Sequence, residues 1–137
     1  MSRGLARQEG QILVMSALVM AFLFVPLSVF VIDTALVESG YAQLGETLQA
    51  SAEDGASTID EAAYRSSNGR VVVLDPVQAK IVVDRSIRAS AMPGLSLWSV
   101  EVQGQRVTIT GHLTVQLLVL GKATLTESRS ASYAFGQ

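Results

Sequence analysis

An α+β fold is what this sequence predicts: a long N-terminal transmembrane helix continuing as a stalk, then a small antiparallel β-sheet head with one packed helix. Three observations carry that expectation. Residues Ile12 to Ile32 form an unbroken, uncharged apolar run. A stripe of apolar or small residues, Val37, Tyr41, Leu44, Leu48 and Ala52, follows at helical steps of 4, 3, 4 and 4. From Trp98 onward, apolar and polar residues alternate with period two between glycine-first turns.

The apolar run is long enough as a helix to cross a hydrocarbon core about 30 Å thick. Fourteen of its residues are Leu, Ile, Val or Phe, which together favour insertion by about 4–8 kcal/mol. Ser16, Ser28 and Pro26 oppose it, and proline is tolerated in membrane helices because neighbouring groups re-satisfy the backbone. Arg3 and Arg7 precede the run, and the next cation after it is Arg65. Positive charge stays on the cytoplasmic side, so the N-terminus is expected inside and the head outside. A cleaved signal peptide shares the basic start, but its apolar core is about 7–15 residues and ends at small residues. Here Val31-Ile32-Asp33 closes the run.

Charge is segregated along the chain. Residues 33–64 hold seven acids and no base, and residues 65–137 hold eight bases and four acids, within a net charge of −2. The mildly basic head has no run of cations, so nucleic acid is not an expected partner. Absence of cysteine excludes disulfides, thiol catalysis and Cys-ligated metal. The expected organisation is a basic cytoplasmic tail (1–11), a transmembrane helix (12–32), an acidic helical stalk (33–54), a linker (55–70) and an extracytoplasmic head (71–137) that folds nearly autonomously.

The stripe on the stalk needs cover, either from this chain's own head or from another helix in an assembly. We expect the second, making Pro26, Asp33, Val37, Tyr41, Leu44 and Leu48 the assembly helix. Gly40 and Gly45 weaken the helix by about 1 kcal/mol each but permit close approach. Ser66-Ser67-Asn68-Gly69 reads as a turn and Val71–Leu74 as a short strand. Asp75-Pro76 supplies an N-cap and an N1 proline for a helix to about Ala91, with Val77, Ile81 and Ile87 inward. In the meander, Trp98, Val100 and Val102 share one face, and Gly104-Gln105 fits a II′ hairpin. Gly111-His112 reads as an interruption. Val115 to Leu120 reads as a strand buried on both faces, and Gly121-Lys122 as a second turn. A last strand from Leu125 runs to Tyr133 and Phe135, with a bulge near Ser128.

No catalytic constellation is legible. His112 has no second histidine to complete a metal site and no neighbouring acid to suggest a triad. Asp60 and Glu61 are adjacent, so on a helix they diverge by about 100° and cannot work as a pair. Asp84-Arg85-Ser86 reads as helix surface and Trp98 as core. Phosphate loops and nucleophile elbows are missing. The chain is therefore expected to be no enzyme, with no cofactor, no metal and no small-molecule substrate.

The N-terminal half resembles the TadE/TadG-like proteins of tight-adherence (Flp-type) pilus assembly systems. The resemblance lies in Arg7-Gln8-Glu9-Gly10-Gln11 before the run, Pro26 within it and Val31-Ile32-Asp33 at its close. It continues in Leu48-Gln49-Ala50-Ser51-Ala52-Glu53-Asp54-Gly55-Ala56 and in the strands from Val107 to Tyr133. It implies a minor pseudopilin-like subunit of a bacterial inner membrane, single-pass and incorporated into or assembling a pilus. Its implied partners are the lipid bilayer, other pilus or pseudopilin subunits and the inner-membrane assembly platform. It also marks Gly10-Gln11 as the bond for processing, although Met15 stands where a prepilin-type glutamate would be, and Ala35-Leu36 replace a Gly-Arg pair. The competing expectation is a single-pass sensor or regulatory protein whose outer head binds a ligand or peptide.

Overall fold

A computed structural model describes residues 3–133, with side chains from residue 10. It has the expected α+β architecture. Helix α1 spans Arg3–Ala56, α2 Glu61–Ser66 and α3 Pro76–Ala89; strands are β1 Leu95–Gln103, β2 Arg106–Gln116 and β3 Lys122–Ser132. The strands form an antiparallel sheet in the order β1-β2-β3. One face of the sheet lies on the second half of α1, and α3 packs alongside.

The core lies where α1 crosses the sheet. Leu44 and Leu48 are 0% exposed, and Ala52 and Ala56 continue their line. Val107, Ile109 and Leu113 of β2 and Leu125 and Ala131 of β3 face them. The stripe on the stalk is thus covered by this chain's own head. This corrects the expectation that Leu44 and Leu48 belong to an assembly surface, and the reason is close approach. At Gly40 an added Cβ would stand 2.8 Å from Leu125 Cδ1, and at Gly111 it would stand 2.8 Å from Leu48 Cδ2. With no side chain at either crossing point, helix and sheet can meet. It follows that residues 71–137 are not self-contained: their core is completed by residues drawn into the stalk and the linker.

Helix α3 begins as expected. Asp75 caps it by accepting from the N–H groups of Val77 and Gln78, and Pro76 takes the first turn. Its inward residues differ: Ala79, Val83 and Ile87 are buried, whereas Val77 and Ile81 are exposed. Small residues face α1 here, and a Cβ on Gly55 would lie 2.6 Å from Val83 Cγ2. Tight helix contact therefore selects the stripe containing Ala79. Val71–Leu74 makes no strand; its one ladder contact is the isolated bridge between Leu74 and Ile59. The linker contains a helix that the sequence reading missed, α2, which Asp60 caps.

Three features of the meander also differ. β2 runs without interruption through Gly111 and His112. The bulge sits in β1, between Leu97 and Ser99, and the β2–β3 register is unbroken at Ser128. β2 ends at Gln116, so Leu117–Leu120 form a loop, and Gly121 (φ +76°) closes that loop instead of opening a turn. The Gly104-Gln105 turn is as expected: Gln103 pairs with Arg106, and Gly104 takes φ +61° while Gln105 keeps a negative φ. Phe135 lies outside the described residues.

Candidate functional site

The first half of α1 stands free of the rest of the fold. From Ile12 to Ile32 its large apolar side chains are exposed, up to 81% at Phe22, with Val29 alone half-buried. Among the described residues this is one helix long and apolar enough to cross a membrane. Two of its hydroxyls bond within the helix. The Ser28 hydroxyl donates to the Phe24 carbonyl at 2.7 Å, and that of Thr34 donates to the Phe30 carbonyl at 2.9 Å. Pro26 lies inside the continuous helix. Gly10 and Gln11 are helical and exposed.

Asp33, at the end of the apolar run, is 6% exposed. A buried carboxylate needs donors, and near a membrane interface a cation or water is the usual source. The structure supplies backbone instead. The Leu118 N–H donates to Asp33 Oδ1 at 2.7 Å and the Val119 N–H to Oδ2 at 3.2 Å. The β2–β3 loop is thereby tied to the point where α1 leaves its apolar stretch. Between loop and helix lies an open apolar cleft whose walls include Pro26, Asp33, Val37 and Tyr41 with Val119 and Leu120. So four of the six assembly-helix residues come together at one surface, and Leu44 and Leu48 lie elsewhere, in the core.

Replacing Asp33 with Ala should leave both loop N–H groups without their acceptor. We expect the head to lose about 1–3 kcal/mol. Thermal melts of the full chain in detergent would show this, and Asp33→Asn should recover part of the loss by keeping one acceptor oxygen.

The other candidates are occupied structurally. Asp60 caps α2 and Glu61 pairs with Arg65 at 2.9 Å. Asp84 pairs with Arg88 at 2.8 Å, and the Ser86 hydroxyl donates to Asp54 of α1 at 2.6 Å. His112 is within a strand, 2.7 Å from the Thr126 hydroxyl. Trp98 is not core. It is the extra residue at the β1 bulge, 72% exposed, with its ring edge-on to His112 at 4.8 Å. No group of three His, Cys, Asp or Glu side chains gathers into a metal site among the described residues. Neither family models, nor curated proteins, nor solved structures give a match to this chain.

Proposed function

We propose that this chain is a non-enzymatic, membrane-anchored assembly component, a minor pseudopilin-like subunit of a bacterial inner-membrane pilus or secretion machine. Its N-terminus is inside and its head outside. One observation carries the reading: α1 is continuous over 54 residues, its apolar first half uncovered and its second half forming the core of the head. A helix shared in this way transmits its packing to the head without a hinge. When the free half packs against neighbouring helices, the position and rotation of the head are set. A tethered enzyme needs an anchor but no such rigid coupling. The motif resemblance to TadE/TadG-like proteins in the first half of the chain favours the same class.

Deleting the gene in its source bacterium should abolish surface pili or the cognate secretion. Full restoration is expected from the native chain and equally from His112→Ala. Normal filaments and secretion in the deletion strain would contradict the proposal. Failure of His112→Ala at normal protein abundance would contradict its non-enzymatic part.

A further inference from the structure

The tip of the β2–β3 hairpin is chemically unusual. Loop tips ordinarily carry Gly, Asn, Asp or Ser. Here Leu118, Val119 and Leu120 stand 64%, 70% and 75% exposed, and no charge occurs from Leu117 to Gly121. An exposed apolar cluster of this kind marks an interaction surface. We propose that this loop is a second membrane anchor: it enters the acyl-chain layer of the leaflet on the head side, and lipid chains fill the cleft between it and α1. The proposal rests on the membrane reading of α1.

Depth is the first argument. Asp33 follows directly on Ile32, the last residue of the apolar run, and it holds the N–H groups of Leu118 and Val119. The loop is therefore fixed at the level where the helix leaves hydrocarbon. Val119 and Leu120 line a cleft whose other wall runs back along α1 through Phe30 and Pro26 to Phe22. That wall is continuous with the surface the helix presents to lipid. Backbone chemistry is the second argument. Irregular backbone in an apolar layer costs free energy for each polar group left unsatisfied, and three of this loop's N–H groups have acceptors. The Leu117 N–H donates to the Gly121 carbonyl at 2.6 Å, and the next two N–H groups are held by Asp33. The third is Lys122, exposed at the base of the loop, whose ammonium suits lipid phosphates. Because the loop is held in place by this chain's own carboxylate, it needs no protein partner to order it.

The native chain has no cysteine, so single thiols can be placed at will. An environment-sensitive fluorophore is attached to the full chain at Val119→Cys, Val25→Cys or Gln103→Cys. Each variant is reconstituted in phosphatidylethanolamine–phosphatidylglycerol vesicles carrying a quencher on the acyl chains. The Val119 probe should be blue-shifted and lose most of its emission, as the Val25 probe does, while the Gln103 probe on the head stays bright. Quenching at Val25 without quenching at Val119 overturns the loop proposal alone. A bright probe at Val25 removes the membrane reading and the loop proposal with it. Disulfide linkage of unlabelled Val119→Cys to a second copy, with no quenching of the labelled form, assigns the cleft to a protein contact and also overturns the proposal.

Discussion

A fragment beginning at Ser66 should give the narrow amide dispersion of an unfolded chain, whereas one beginning at Asp33 should give the spread of a folded domain. The shorter fragment lacks Leu44, Leu48, Ala52 and Ala56, which form the helix side of the core. Burying each leucine is worth about 1.5–3 kcal/mol, and their removal uncovers Val107, Ile109, Leu113 and Leu125 at a similar cost each. The summed loss, on the order of 10 kcal/mol, matches the whole stability of a small domain. Two-dimensional amide spectra of the two fragments decide the matter. A dispersed spectrum from the Ser66 fragment would mean that sheet and α3 cover each other without α1.

Leu48→Ala should lower stability by about 2–5 kcal/mol, since Leu48 is 0% exposed and the site is hemmed in by rigid elements. Gly111→Ala should also destabilise, by about 1–3 kcal/mol, because its methyl would stand 2.8 Å from Leu48 Cδ2. The two changes should not add. The methyl introduced at Gly111 enters the space vacated by Leu48, so the double variant should be more stable than the sum of single effects predicts. Denaturant melts of the four proteins complete the cycle. Additive effects would mean that Gly111 and Leu48 do not meet.

Much of this architecture was legible because it follows from local chemistry. The apolar run, the Asp75-Pro76 cap and the Gly104 turn each need only a few neighbouring residues, and each stands where the sequence puts it. The errors arise where long-range packing decides. At Trp98 one extra residue in β1 reverses the alternation, and period-two counting carries no sign of a bulge. In α3 both stripes are apolar, and the choice of Ala79 over Val77 depends on how closely α1 approaches. Leu117–Leu120 looked like a doubly buried strand because its composition suits either burial or lipid. Periodicity found the stalk stripe, yet an apolar stripe does not say which surface covers it.

The candidate site shows the same division. Asp33, Val37 and Tyr41 stood out as helix residues near the end of the apolar run. The loop that Asp33 holds lies 85 residues further along, and no local pattern links the two. A signal was present all the same: an uncharged Leu-Leu-Val-Leu stretch ending at Gly121 is odd for a hairpin tip. A buried acid beside an apolar span also calls for donors from somewhere in the chain.

Cysteine cross-linking of the full chain in native membranes tests most directly the claim that one helix packs outward in its first half and inward in its second. Thiols at Leu23 and Leu27, exposed on the free half, should form adducts with other subunits of the machine. A thiol at Leu48, sealed in the core, should form none with another chain and should pair instead with a second thiol at Gly111 of the same chain. Adducts to other subunits from Leu48, or a monomer at every position of the free half, would contradict the account.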